Sequence, residues 1–259
     1  MCYYNEKYLN NPTYLKKVFT MDSLTENEIL FCTLCAEGLL EDAKWVLEHD
    51  KRINIHIYNE APMRLAFRYN QEDVIFWLWH ISKDINLNIH QDFCFRKACR
   101  NGNMKLIKWL LLRNNKIDMN ACKDYSFRKS CTYGKLDTVV WLVNNNDKIN
   151  IKAKKNDALI NIFRNGHLRI LEYLSDKFNI DLNYQNGLYF RIACENGHLN
   201  LAKYLFSKNK RIKVNMYLDY PFRMACINNH ISVALWLKSY VPKYELVMKN
   251  SVIVSFKYK

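Results

Sequence analysis

Apolar residues recur along this chain with helical spacing, in pairs of short stripes. In residues 95–120 a first stripe begins at Phe95 and a second at Met104, and Gly102 lies between them. Apolar residues at positions i, i+3 and i+4 share one face of a helix, and glycine is favoured just past a helix end. This stretch therefore predicts two short helices joined by a turn, with a brief extended segment after them.

The same block repeats over most of the chain. Its second stripe carries an aromatic residue at successive spacings of 32, 32, 32, 32, 31 and 32 residues, at Trp45, Trp77, Trp109, Trp141, Tyr173, Tyr204 and Trp236. A fixed period between about 20 and 50 residues is the signature of a solenoid, whose units bury their apolar faces only against their neighbours. We therefore predict an all-α solenoid of about seven helix-turn-helix units, in which these aromatics are buried structural residues.

The repeat also divides the chain into regions. Its units start near residues 31, 63, 95, 127, 159, 190 and 222. We expect an N-terminal cap over 1–30, repeats over 31–237 and a C-terminal cap or tail over 238–259. Within the first region, Pro12 to Phe19 predicts a capping helix, because proline suits the first turn of a helix. The last region departs from the repeat pattern and is predicted either to pack as a cap or to bind a partner.

The repeated block resembles the ankyrin repeat. The family's Thr-Pro-Leu-His-x-Ala-Ala start, mid-unit Gly-His and paired-leucine second helix correspond here to x-x-Phe-Arg-x-Ala-Cys, Asn-Gly-His and Trp/Tyr-Leu. Gly166-His167 and Gly197-His198 match outright, and the resemblance covers 31–237. It implies a non-catalytic scaffold or adaptor that binds proteins through hairpin tips and first helices lining a concave face. In detail, the block is similar to the multi-copy ankyrin-repeat proteins of giant DNA viruses.

The family's Thr and His are almost absent from the start of each unit. Arginine takes the histidine position in five units, at Arg64, Arg96, Arg128, Arg191 and Arg223. An acidic residue precedes four of these arginines by four positions, at Glu60, Asp92, Asp124 and Asp219. Residues at i and i+4 face each other on a helix. We therefore expect each acid to cap its helix and to pair with its arginine, which gives these arginines a structural role.

The net charge of +14 is unevenly distributed. Residues 1–86 carry 9 Lys/Arg and 13 Asp/Glu, a net charge of −4, whereas residues 87–172 carry +10 and residues 173–259 carry +8. A basic strip could bind an acidic protein segment, and its candidate residues are Arg68, Lys97, Arg100, Lys123, Lys129, Lys154, Lys155 and Arg164. Two alternatives stay open: docking on nucleic acid or another polyanion, and a solvated basic face that only reflects an AT-rich composition.

The sequence contains no recognised catalytic motif. There is neither a phosphate-binding Gly-x4-Gly-Lys-Ser/Thr loop nor a Gly-x-Ser-x-Gly turn. Cys32 and Cys35 have metal-like spacing, but no second pair accompanies them. We therefore predict no enzyme, no metal and no cofactor.

Five cysteines share one repeat position, at Cys35, Cys99, Cys131, Cys194 and Cys226. Packed helices lie about 8–10 Å apart, which is too far for disulfides between neighbouring units. We expect these cysteines to be small buried residues, as in proteins of the cytoplasm or nucleus. The sequence shows neither a signal peptide nor a membrane-spanning segment. We therefore predict a monomeric intracellular protein with a protein partner, in a host cell if it is viral.

Overall fold

The computed structural model describes residues 25–258. The capping helix predicted from Pro12 to Phe19 lies outside them. The described residues form fourteen helices and a two-stranded sheet. The elements are α1 (Glu26–Glu37), α2 (Leu40–His49), α3 (Ile57–Tyr69), α4 (Glu72–Ile81), α5 (Ile89–Asn101), α6 (Met104–Arg113), α7 (Ala121–Thr132), α8 (Leu136–Asn145), α9 (Ala153–Asn165), α10 (Leu168–Lys177), α11 (Tyr184–Glu195), α12 (Leu199–Lys208), α13 (Met216–Ile227), α14 (Ile231–Tyr240), β1 (Glu245–Lys249) and β2 (Val252–Lys257).

Each odd-numbered helix is the first helix of a unit, and each even-numbered helix is the second. The predicted stop between them is confirmed at Gly102, which follows α5 with a left-handed φ of 77° and donates its N–H to the carbonyl groups of Ala98 and Cys99. The two helices predicted in this unit are therefore present.

The chain divides into two compact units, with the boundary between Ala121 and Cys122. Among residues 25–121, α1 packs on α3 and α3 packs on α5. Among residues 122–258, α9 packs on α11 and α11 packs on α13. In both units, neighbouring first helices thus share a core.

A phenylalanine and a cysteine recur in the core of the first helices. The phenylalanines Phe31, Phe95, Phe127, Phe190 and Phe222 are at most 1% exposed. Burying one such ring contributes about 1.5–3 kcal/mol. The five repeat-position cysteines are free thiols and are buried, as predicted.

The seven repeat aromatics are less buried than we expected. Trp45 is 42% exposed, and the other six are half-buried. The residue after each aromatic is the one that faces the core, as at Leu110. The aromatic itself lies on the flank of the second helix and contacts the preceding unit. The ring of Trp109, for example, lies 6.4 Å from that of Phe67 and 5.6 Å from that of Phe76.

A β-hairpin covers the end of the last unit, where no strand was predicted. Strands β1 and β2 pair antiparallel. Tyr244, which precedes β1, is fully buried and stacks on Phe222 with ring centroids 4.0 Å apart. Phe256 of β2 meets the same ring edge-on at 6.1 Å. The C-terminal residues therefore pack against α13.

Hydrogen bonds from polar side chains join neighbouring units. The imidazole of His198 donates to the carbonyl oxygen of Arg164 at 2.8 Å, and that of His167 donates to the carbonyl oxygen of Thr132 at 3.0 Å. Each ring also lies over a glycine of the preceding unit, Gly166 or Gly134. These contacts give the two histidines a structural role.

A left-handed turn of three residues opens each first helix from α3 onward. In α3, Tyr58, Asn59 and Glu60 have φ values of 46°, 56° and 61°. The equivalent turns are 90–92, 122–124, 154–156, 185–187 and 217–219. A non-glycine residue in this conformation costs about 1–2 kcal/mol. The turns must therefore be stabilised by contacts outside their own backbone.

The repeated arginine supplies one of these contacts. Arg64 Nε donates to the carbonyl oxygen of Asn59 at 2.7 Å, and its Nη2 donates to that of Tyr58 at 2.6 Å. Arg96 and Arg128 make the same pair of hydrogen bonds to their own turns. The guanidinium groups thus stabilise the left-handed backbone.

At Glu60 and Asp92 the predicted pairing of acid with arginine is wrong, because the buried acid bonds to the loop of the next unit. Asp92 Oδ2 accepts the backbone N–H of Asp118 at 3.1 Å, and Oδ1 accepts Asn88 Nδ2 at 2.9 Å. Glu60 Oε1 likewise accepts the backbone N–H of Asn86 at 3.2 Å. Each carboxylate therefore links its turn to a loop 26 residues further on, and the predicted capping of its own helix is wrong at these two positions as well.

Gly197 tests the contact between neighbouring units. Its φ is +78°, and an added Cβ would lie 2.5 Å from Nδ1 of His230. We expect Gly197→Ala to lower the free energy of unfolding by about 1–3 kcal/mol, measured by urea denaturation. In a double-mutant cycle, His230→Ala should relieve part of this cost. Strictly additive effects would contradict a contact between the two residues.

Asp92 tests the link between turn and loop. We expect Asp92→Ala to lower the free energy of unfolding by about 1–3 kcal/mol, because two half-buried hydrogen bonds lose their acceptor. Asp92→Asn keeps an acceptor oxygen and should cost less. The exposed substitution Asp147→Ala is the control, and an equal loss there in urea denaturation would contradict the link.

The effect of Asp92→Asn on the free energy of unfolding should depend on pH. Burial raises the pKa of the Asp92 carboxyl, although its hydrogen bonds oppose the rise. A carboxyl whose pKa is raised on folding contributes stability that is complete below its ordinary pKa and is lost as the pH rises through the raised value. The stability of Asp92→Asn relative to the unsubstituted protein should therefore increase as the pH rises above the ordinary pKa of a carboxyl group. A constant difference would contradict the raised pKa.

Candidate interaction surface

The left-handed turns display the basic residues predicted at the tips. Lys123, Lys154 and Lys155 occupy exposed positions in two consecutive turns. The third residue of each turn, Asp124 or Asn156, is buried. Because packed helices lie about 8–10 Å apart, one extended segment of a partner could contact both turns.

The side chain of Arg128 holds the turn that carries Lys123. Arg128 is 3% exposed, and it donates to the carbonyl oxygens of Lys123 and Cys122. Its Nη1 also forms an ion pair with Asp157 Oδ2 at 2.6 Å. The backbone at Lys123 is thus held before any partner binds, which reduces the entropy lost on binding.

Lys129 and Arg164 lie on the helices behind these turns. Lys129 is half-buried on α7. Arg164 is exposed in the last turn of α9 and donates to Asn161 Oδ1 at 2.9 Å. At about 1.5 Å per residue, Arg164 lies about 14 Å along the helix from Lys155. The structure therefore does not place Arg164 beside the lysines of the turns.

In residues 25–121, a second group of cations surrounds Phe93. Lys97 Nζ lies 5.0 Å from the centre of the ring, and the guanidinium carbons of Arg64 and Arg96 each lie 5.8 Å from it. Cations within about 6 Å of an aromatic face are attracted to its quadrupole. The structure thus brings the predicted Lys97 together with two of the structural arginines.

Arg68 and Arg100, the other two predicted residues within 25–121, lie near the ends of α3 and α5. The guanidinium carbon of Arg68 is 5.7 Å from the ring centre of Tyr69, which is itself 43% exposed. Arg100 is half-buried in the last turn of α5. Both positions are accessible in part, and they flank the group around Phe93 on the same two helices.

A pocket that was not predicted lies beside the turn 185–187. Its volume is about 270 Å³, and it is lined by Asn183, Asn186, Arg211, Lys213, Met216 and Tyr217. Two signals in the sequence could have found it. Residues 196–218 contain five Lys/Arg and no Asp/Glu, and Gly187 stands where four other turns carry an acid.

The buried thiols are poorly suited to chemistry. Burial raises the pKa of Cys32 and Cys226 to about 12, and it raises the pKa of Cys35 as well. A thiol with a raised pKa supplies little thiolate at neutral pH. Within residues 25–258, no group of three His, Cys, Asp or Glu side chains is placed to hold a metal ion. No helix in that same range is long and apolar enough to cross a membrane.

Comparison with known families supports the repeat assignment. The family model described as Ankyrin repeats (3 copies) matches residues 95–186. No curated protein matches the chain. The predicted ankyrin repeats are thus confirmed in residues 95–186, and the predicted fold class, an all-α ankyrin-repeat solenoid, is confirmed by this match together with the helices of the structure.

Proposed function

We propose that the protein is a non-catalytic scaffold or adaptor that binds another protein through its left-handed turns and first helices. Ankyrin repeats are generally protein–protein interaction modules, which supports this class of function. The resemblance to viral ankyrin proteins stays a prediction. A place inside the cell, in the cytoplasm or nucleus, is part of the same proposal, and it is supported by the free thiols of the described cysteines.

The chemistry of the turns favours an acidic partner segment. The observation that carries this proposal is the exposure of Lys123, Lys154 and Lys155 on two consecutive turns, the first of which is held by Arg128. Lysines on a preorganised surface attract carboxylates and steer their approach. We propose that an extended acidic segment of a single partner protein contacts both turns of a monomeric scaffold.

Docking on nucleic acid is the second candidate, and the +18 net charge of residues 87–259 favours it. Binding of this kind weakens steeply with salt, because it releases counterions from the phosphates. Retention on DNA or RNA at about 0.2 M salt, in the presence of an acidic protein competitor, would therefore support the second candidate over the first.

The experiment begins with a photo-crosslinking amino acid at position 123 or 154, in the full-length protein expressed in cells. The crosslinked partner is identified and purified, and its affinity is measured by calorimetry. We expect the triple substitution Lys123→Glu, Lys154→Glu and Lys155→Glu to weaken binding at least about tenfold, because attraction becomes repulsion at each contact.

The matched control reverses three exposed lysines on other elements: Lys177, Lys203 and Lys249. Its affinity should stay within about twofold of the unsubstituted protein, since rim charges far from a contact act weakly. Equal losses in the two triple variants, or crosslinks to nucleic acid alone, would contradict the proposal.

A further inference from the structure

Among the six left-handed turns, 185–187 is the one whose third residue has no side chain. Its third position is Gly187, whereas Glu60, Asp92, Asp124 and Asp219 stand at that position in four other turns. Glycine adopts the left-handed conformation without cost, with φ of 80° here. Glycine contributes no carboxylate. This turn therefore lacks the group through which Asp92 links its own turn to the next loop.

The two partners of that missing carboxylate are present. Asp92 accepts hydrogen bonds from the Asn88 side chain and from the backbone N–H of Asp118. Three units later, their counterparts are Asn183 and Lys213, each 95 residues further along the chain, as Gly187 is from Asp92. Asn183 and Lys213 both line the 270 Å³ pocket. The residues that correspond to both donors thus line the pocket.

Two cations and one acid lie at this pocket, and the acid, Asp181, accepts the backbone N–H of Asn183 at 2.9 Å. Arg211 and Lys213 line it and are exposed, and no Asp or Glu occurs from 196 to 218. Tyr217 contributes an aromatic wall, and the guanidinium carbon of Arg191 lies 4.2 Å from the centre of its ring. An arginine and a lysine around neutral donors favour oxygen anions over neutral ligands.

We propose that this pocket binds an anionic side chain of a partner peptide, whose oxygens take the position that the Asp92 carboxylate occupies in its own unit. The anion is a carboxylate or a phosphate, since both accept the same set of hydrogen bonds. This site deepens the proposed scaffold function and rests on it. It adds an anion-specific contact to the surface of the turns.

The place of the pocket in the repeat favours a peptide over a nucleic acid. Its position in the repeat is one that a single Asp side chain fills elsewhere, so it accommodates one anionic group. A nucleic-acid strand is bound along a basic groove that follows several phosphates, with aromatic rings stacked on successive bases. Here one aromatic residue, Tyr217, lines the pocket.

The decisive variant is Gly187→Asp, which supplies the missing carboxylate from within the chain. Asp92 and Asp219 hold the same left-handed conformation, with φ of 58° and 60°. An added Cβ at Gly187 would meet the end of the flexible Met216 side chain, at 2.8 Å from its Cε. The variant should therefore fold, and thermal unfolding checks that it does.

The probe is a short fluorescein-labelled peptide of alternating glycine and glutamate, and binding is read by fluorescence anisotropy on the full chain. We expect Gly187→Asp to weaken binding at least about tenfold, because the internal carboxylate competes for the donors. The double substitution Arg211→Gln and Lys213→Gln should weaken it similarly. The charge-matched control, Lys203→Gln with Lys249→Gln, should stay within about twofold, because those lysines lie on other elements.

Three further probes separate the possible ligands. A peptide with phosphoserine in place of glutamate decides between phosphate and carboxylate by its relative affinity. A peptide with glutamine in place of glutamate should not bind, and equal binding of it would overturn the proposal. Displacement of the glutamate peptide by labelled oligothymidine at lower concentration would overturn the assignment to a peptide.

Insensitivity of peptide binding to both Gly187→Asp and the Arg211/Lys213 double substitution would also overturn this site. That result leaves the scaffold function intact where the lysine reversals at the turns still abolish partner binding. If the lysine reversals at the turns leave partner binding unchanged while Gly187→Asp still weakens peptide binding, the proposed role of the turns is contradicted. The two proposals therefore fail in different ways.

Discussion

The three-residue left-handed turn at the start of each first helix from α3 onward is the constraint on which the repeat depends. The turns contain almost no glycine, so their backbone conformation carries a conformational cost of about 1–2 kcal/mol per residue. Two side chains offset that cost. An arginine such as Arg64 donates to the carbonyl oxygens of the turn, and a buried acid such as Glu60 accepts an N–H from the next loop. The first two residues of a turn are thereby presented to partners on a fixed backbone.

Much of the fold followed from periodicity. Helical spacing of apolar residues and the glycine stops predicted the helix pairs, and the repeated cysteine position predicted buried thiols. These features depend on neighbours within a unit or on one repeat period, which a sequence displays directly. The hairpin was missed because its strands occur once, after the repeat ends. The alternating β-branched residues Val252 and Val254 were the available signal.

The relation between acid and arginine shows where sequence reasoning failed. The i, i+4 spacing of Asp92 and Arg96 was correctly noted, but it places two side chains on one face only in a continuous right-handed helix. The left-handed turn ends at Asp92, so the acid faces the following loop and the arginine faces back to the turn. No local pattern announces three successive left-handed residues when glycine is absent from them.

The candidate site was predicted only in part. The exposed lysines were identified from their positions in the repeat, and the structure places Lys123, Lys154 and Lys155 on the turns. The pocket beside Gly187 was missed because its signal is the absence of an acid, and that absence has meaning only once the partners of Asp92 are known. A substitution that looks like repeat degeneracy thus becomes a candidate for specificity.

Backbone amide hydrogen exchange, resolved by NMR, tests the link between turn and loop most directly. The amides of Asn86 and Asp118 donate to buried carboxylates. At the equivalent place in the repeat, Lys213 corresponds to Asp118 and Gly187 supplies no carboxylate. We predict slow exchange at Asn86 and Asp118 and fast exchange at Lys213, since a hydrogen-bonded amide must open before it exchanges. Equal exchange rates at the three amides would contradict the account.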